Sequence, residues 1–250
     1  MKTPFDFSGK TILITGASSG IGQHAAITLS EYGARTILLA RREDKLQETL
    51  KMLSGDGHIY KVFDLNELEK IEDIVSEIVS ETGKLDGMAF CAGIAPTVPC
   101  KATTPKILLE TMQINFFSFH EITRQFIKKK FSNDGSKIVA ISSVASIKPG
   151  KGQSAYCASK GAMESVIRSI AKEVMPRKIC INSIRPSFVD TPLTEQYKAT
   201  VEGASEVVSD IQQLGVINPV ETSNMITYLL SPMANKITGN AFNIDSGSLL

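Results

Sequence analysis

Short runs of β-branched and other apolar residues alternate along the chain with longer stretches in which apolar residues return every three or four positions. The short runs, at 11–15, 36–40, 59–63, 87–91, 137–142, 180–184 and 241–244, read as strands. The longer stretches predict helices over about 20–32, 43–53, 67–82, 105–130, 154–175 and 220–231, with Ile71, Ile74, Val75, Ile78 and Val79 showing the helical spacing well. Strands that alternate with helices specify an α/β fold: a parallel, doubly wound sheet of seven strands, covered on both faces in three layers. One stretch, at about 187–215, breaks the alternation. It carries Pro192, mixed polarity and weak periodicity, and reads as an irregular lid or binding loop.

The chain has 250 residues, of which 42% are hydrophobic, so it can bury a substantial core as one domain over 1–250. Its formal net charge is +1 with acids and bases interleaved, which gives no case for nucleic acid or for an anionic membrane surface. The longest cationic run, Lys128-Lys129-Lys130, reads as a solvated helix end, with docking of an acidic partner as the alternative. Met1-Lys2-Thr3-Pro4-Phe5-Asp6 lacks the apolar run of a secretory signal, and no segment approaches roughly eighteen consecutive apolar residues, so a soluble cytoplasmic protein is expected. Cys91, Cys100, Cys157 and Cys180 show neither CxxC pairing nor companion histidines, which predicts reduced thiols and no metal site. His24, His58 and His120 are isolated and carry no assigned chemistry.

Between the first strand and the first helix lies Thr15-Gly16-Ala17-Ser18-Ser19-Gly20-Ile21-Gly22. Glycines at such a turn let the backbone approach a pyrophosphate, and the helix N-terminus favours its charge. The lysine of a nucleoside triphosphate loop is missing. Further along, Tyr156 precedes Lys160 by four residues, one face of a helix, and Ser143 follows the fifth strand at the sheet edge where ligands bind. A cation beside a phenol favours the phenolate, so Lys160 is expected to lower the Tyr156 pKa and make it a proton donor and acceptor. Asn115 lies mid-helix between Ile114 and Phe116, where a buried amide needs a partner. Together these groups read as a hydride-transfer enzyme.

The same residues resemble the short-chain dehydrogenase/reductase family from about residue 8 to 249: Gly16, Gly20 and Gly22 match its glycine motif, and Ser143, Tyr156-xxx-Lys160 and Asn115 its active site. The resemblance implies a Rossmann-type fold, proton donation by Tyr156, substrate positioning by Ser143, a ribose contact from Lys160, and a water relay supported by Asn115. It also implies dinucleotide contacts from Ser18, Ser19, Ile21, Asp64, Leu65, Cys91, Ala92, Gly93, Pro186, Val189 and Thr191. Phe90-Cys91-Ala92-Gly93, Pro186-Ser187 and Asp245-Ser246-Gly247 depart from the family's Asn-Asn-Ala-Gly, Pro-Gly and Asp-Gly-Gly. None of these removes a catalytic group.

After the second strand the chain reads Ala40-Arg41-Arg42, where NAD-preferring relatives place an acid. Arg41 can meet a 2′-phosphate with a planar fork of donors, with Arg42 and Ser18 as secondary contacts, so NADPH is the expected cofactor and NADH the alternative. The resemblance is greater to ketoreductases, 3-oxoacyl-[acyl-carrier-protein] reductases among them, than to sugar epimerases. It implies a small-molecule or acyl-thioester carbonyl substrate, with Lys128, Lys129, Lys130 and Arg177 as candidates to dock an acidic carrier. Dehydrogenation of an alcohol, steroid or polyol stands as the alternative, and a dinucleotide-binding sensor as a different class. The helices at about 105–130 and 154–175, with the last strand, are expected to build a dimer or tetramer, since Phe116, Phe117, Phe119 and Ile122 crowd one helix.

Overall fold

A computed structural model describes residues 5–250. The strands are β1 (Thr11–Thr15), β2 (Arg35–Ala40), β3 (Ile59–Val62), β4 (Leu85–Phe90), β5 (Ser132–Ile141), β6 (Cys180–Pro186) and β7 (Ala241–Ile244). All seven pair in parallel in the order β3-β2-β1-β4-β5-β6-β7. The order reverses between β1 and β4, and that reversal leaves a crevice at the carboxyl ends of the strands.

Side chains on a strand alternate between faces, and this sheet is apolar on both. Leu13, Ile37 and Leu39 pack on one side with α3 (Ile71–Thr82), α5 (Ser118–Phe126) and α6 (Ser154–Glu173). Ile12, Ile14 and Leu38 pack on the other with α1 (Gly20–Glu31), α2 (Glu43–Leu50) and α9 (Pro219–Leu230). Phe90 and Phe119 meet edge to face at 5.3 Å in the first of these layers.

Three expectations are corrected. The single helix at 105–130 is α4 (Pro105–Met112), a π-helical turn (Gln113–Phe117) and α5, ending at Phe126. A π turn inserts a residue into the helical repeat, which rotates Asn115 inward without changing the apolar spacing enough to be read. Phe119 and Ile122, expected at a subunit contact, are fully buried in the chain's own core, while Phe117 stays 39% exposed. The stretch at 187–215 is largely helical, α7 (Pro192–Thr200) and α8 (Ala204–Ile211), joined through Gly203 at a φ of +72°. Helices of eight or nine residues give too few turns for a periodicity to stand out. Among the described residues, no helix is long and apolar enough to cross a membrane.

Candidate active site

The carboxyl ends of β1, β2, β4, β5 and β6 open onto one cleft. Gly16, Ser18, Ser19, Gly20, Ile21, Gly22, Arg41, Arg42, Asp64, Leu65, Cys91, Ala92, Gly93, Ser143, Tyr156, Lys160, Pro186, Val189 and Thr191 all line it. Asn115 lies behind the wall, fully buried. Sequence reasoning had not singled out Ile94, Leu193 and Thr194, which also line the cleft; the last two belong to α7, hidden by its short period.

The glycine turn fits a bound pyrophosphate because it has no room for side chains. A Cβ at Gly22 would stand 2.4 Å from the Gly16 carbonyl oxygen, and Gly16, at a φ of +67°, would bring one to 2.9 Å from the Ala92 nitrogen. The Thr15 hydroxyl accepts from the backbone N–H groups of Cys91 (3.1 Å) and Ala92 (3.2 Å) and so ties the ends of β1 and β4 together. That bond holds the segment in which Cys91 replaces an amide; burial pushes the Cys91 thiol up to about 12, so it stays neutral.

Both arginines after β2 face the cleft in different ways. Arg42 reaches back over the turn and donates from one terminal nitrogen to the hydroxyls of Ser18 (3.1 Å) and Ser19 (3.0 Å). Arg41 stays 62% exposed with its nearest carboxylate, Asp64, at 3.9 Å. Two hydroxyls on the facing turn hold the Arg42 side chain, whereas Arg41 has no side-chain hydrogen bond of that kind among the described residues.

Tyr156 and Lys160 occupy one face of α6, with the ammonium 5.8 Å from the centre of the phenol ring. Lys160 is 3% exposed and donates to the Ile141 carbonyl at 2.7 Å; burial lowers its pKa to about 8, with Cys91 and Glu164 opposing that shift. Burial pushes the Tyr156 phenol up, and the neighbouring Ser143 hydroxyl offsets part of the rise. The direction is opposite to the one expected for a phenol beside a lysine. The lysine spends its nearest bond on Ile141 and is itself half neutral near pH 8, so enclosure of the phenol outweighs it. Ser143 Oγ accepts from the Ala145 N–H at 3.1 Å, and its hydroxyl proton is directed at the Tyr156 phenol, whose pKa it lowers.

The Asn115 side chain is held by three hydrogen bonds. Its Oδ1 accepts from Ile94 N–H at 2.9 Å, and its Nδ2 donates to Ile94 O and Ser159 Oγ at 2.9 Å each. All three bonds are to protein, so the side chain locks the segment after β4 to α6. Gly93 makes room for this: a Cβ there would stand 3.1 Å from Asn115 Oδ1 and 3.4 Å from Lys160 Nζ.

A second cavity, of about 300 Å³, adjoins the cleft and shares Ser143, Tyr156, Ser187, Leu193 and Thr194 with it. Val144, Ala145, Pro149, Phe188, Tyr197, Val207 and Ile211 supply most of its wall, with the Phe188 and Tyr197 rings 5.0 Å apart. Among its polar members, Lys148 donates to Ser248 O at 2.7 Å and Gln153 accepts from Gly150 N–H at 2.8 Å, while the buried hydroxyls of Ser187 and Ser248 have no protein partner among the described residues.

Comparison with known proteins agrees with this geometry. Residues 10–202 match the short chain dehydrogenase family. The chain is 30% identical over 246 residues to a 3-oxoacyl-[acyl-carrier-protein] reductase of Rickettsia conorii, covering 98% of this chain and 99% of that one. It is 31% identical to a glucose 1-dehydrogenase of Gluconobacter oxydans, covering 98% and 93%. A crystal structure of a dehydrogenase/reductase from Sinorhizobium meliloti superimposes with a TM-score of 0.91 at 28% identity, covering 100% of this chain and 99% of that one. The chain belongs to the short-chain dehydrogenase family and is an oxidoreductase.

Proposed function

We propose that the protein is an NADPH-dependent reductase of apolar ketones, a class that includes 3-oxoacyl thioesters. The observation that carries this reading is the apolar cavity that opens directly onto the Ser143 and Tyr156 hydroxyls. A cavity of roughly 150 Å³ takes up benzene, so about 300 Å³ suits a substrate moiety with roughly two rings or an equivalent acyl chain. A polyol, suggested by the glucose 1-dehydrogenase relative, would bring several hydroxyls against a mostly apolar wall whose buried unpartnered polar atoms are the Ser187 and Ser248 hydroxyls, and hydroxyls buried beyond those two would stay unpaired at a cost.

The glycine turn and the helix behind it would hold the cofactor's pyrophosphate, with Arg41 and Arg42 at its adenosine 2′-phosphate and Lys160 at its nicotinamide ribose. When bound, the reduced nicotinamide supplies hydride. Ser143 donates a hydrogen bond to the substrate oxygen and fixes its position, and Tyr156 transfers the one proton that completes the alcohol. Lys160, charged below about pH 8, favours the phenolate left behind. Asn115 keeps Ile94 and α6 at fixed separation.

Three of the four basic residues expected to dock an acidic carrier are occupied. Lys128 and Lys130 pair with Glu72 at 3.0 and 2.7 Å, and Arg177 pairs with Asp134 at 2.7 Å. A free small-molecule or thioester ketone is therefore the favoured substrate over a carrier-bound one. The test is a substrate panel followed at the nicotinamide absorbance with NADPH and NADH, containing aryl ketones, 3-oxoacyl thioesters, steroids and sugars. Turnover of apolar ketones with NADPH is expected. Turnover confined to sugars or polyols contradicts the reading, and so does tight dinucleotide binding without turnover of any member, which is the behaviour of a sensor.

A further inference from the structure

Tyr156, Lys160 and Glu164 stand at four-residue steps along one face of α6. Glu164 is 5% exposed and its carboxylate accepts four hydrogen bonds. Ser142 Oγ (2.5 Å), Ser146 Oγ (2.7 Å) and Arg185 Nε (2.8 Å) donate to one oxygen, and the Arg185 terminal nitrogen donates to the other at 2.5 Å. Arg185 arrives from β6, which pairs with β5 up to Ile141 opposite Ile184.

A buried ion pair is a poor device for stability alone, because apolar residues of similar volume commonly do as well. What distinguishes this one is where its hydroxyl partners sit. Ser142 and Ser146 bracket Ser143, and Ser146 Oγ also lies 2.8 Å from the Ser143 carbonyl oxygen, so its single proton is shared between that carbonyl and Glu164. One turn earlier on α6, Lys160 donates to the carbonyl of Ile141. The turn at 141–146 is thus tied to α6 through Ile141, Ser142 and Ser146, while the Ser143 hydroxyl faces the cleft.

We propose that Glu164, held in place by Arg185, is a positioning residue that fixes the Ser143 turn against the helix carrying Tyr156 and Lys160, and so sets the distance between the two hydroxyls that act on the substrate. This rests on the reductase reading above. Charged or titratable groups facing Lys160 are Tyr156 and Glu164 on its own helix and Cys91 at the end of β4, with Arg185 behind Glu164.

Glu164→Gln keeps the shape, removes the charge and leaves Arg185 without its partner. A misplacement of about 1 Å costs on the order of 10²-fold in rate, so kcat is expected to fall by roughly 10- to 100-fold, with ketone KM and cofactor Kd within about threefold of the parent. The alkaline limb of the kcat profile should move to lower pH, because the anion that favours protonated Lys160 is gone. Ser146→Ala, which spares the ion pair, serves if Glu164→Gln fails to fold; a loss of about three- to tenfold in kcat with an unchanged melting temperature is expected. A purely structural role predicts something else: kcat per cofactor-binding site equal to the parent in every folded variant. That result overturns the proposal.

A second readout does not depend on turnover. In protein labelled with ¹³Cζ-tyrosine, the Tyr156 resonance, assigned by its loss in Tyr156→Phe, should titrate at a different pH in Glu164→Gln than in the parent. Coincident titration curves overturn the inference. A parent that reduces no ketone overturns the proposed function instead, and the titration then still decides the role of Glu164.

Discussion

The Lys160 ammonium donates to the Ile141 carbonyl at 2.7 Å. The cation that serves Tyr156 is thereby anchored on the last residue of β5, two positions before Ser143. Helix α6 and strand β5 hold the catalytic groups through this bond and the Glu164 contacts, so proton chemistry and sheet geometry are coupled in the same few side chains.

Lys160 makes stability depend on pH in a defined window. Its folded pKa, about 8, is below the ordinary 10.5, so between these values the unfolded chain holds a proton that the folded chain has released. Stability from this group therefore rises with pH from about 8 to 10.5 and is flat outside that range. At 1.36 kcal/mol per pKa unit the rise is on the order of 3 kcal/mol. Denaturant titrations of the parent and Lys160→Met across pH 7–10.5 should show the parent gaining stability relative to the variant above about pH 8, since the other buried groups are common to both; parallel curves contradict it.

Arg41 and Arg42 should set cofactor choice jointly. Hydrogen bonds to charged groups contribute about 1.5–3 kcal/mol, so either Arg41→Ala or Arg42→Ala is expected to cut the NADPH-over-NADH ratio of kcat/KM by roughly ten- to a hundredfold. Arg42→Ala should also loosen Ser18 and Ser19, whose hydroxyls it holds, and so raise the Kd for NADH modestly. A parent that uses NADH as well as NADPH removes both residues from cofactor selection.

The sheet, the glycine turn and the Tyr156-Lys160 pair were legible in the sequence because each is encoded locally: seven apolar runs, a Gly-rich string between strand and helix, and a four-residue spacing. What escaped notice depends on contacts between distant segments. The π turn around Asn115 is one inserted residue, invisible to a three-to-four periodicity. Glu164 and Arg185 look like ordinary charges until β6 brings the guanidinium against α6. The direction of the Tyr156 shift required knowing how far the fold encloses the phenol, which a four-residue spacing does not state.

Gly22 should tolerate no side chain. The added Cβ of Gly22→Ala would meet the Gly16 carbonyl oxygen at 2.4 Å, and backbone on both sides cannot yield as a flexible side chain can. Overpacking of this kind costs about 1–3 kcal/mol, and the shifted turn should weaken dinucleotide binding as well. Thermal melting together with cofactor titration checks this; a variant with parental Tm and Kd contradicts the close approach.

Asn115→Leu should destabilise by about 2–5 kcal/mol, since it strands the Ile94 N–H and C=O away from their partner, while the Ser159 hydroxyl keeps its bond to the Tyr156 carbonyl. Urea denaturation measures the loss, and a change under 1 kcal/mol would mean that those groups find other partners.

The central claim, that Tyr156 transfers a proton to a carbonyl oxygen, is tested most directly by single-turnover kinetics of Tyr156→Phe with NADPH and the best ketone of the panel. The ring remains to pack and only the hydroxyl is lost, so the rate of the chemical step should fall by about 10²–10⁴-fold while cofactor Kd stays within a fewfold of the parent. A chemical step within tenfold of the parent contradicts the account.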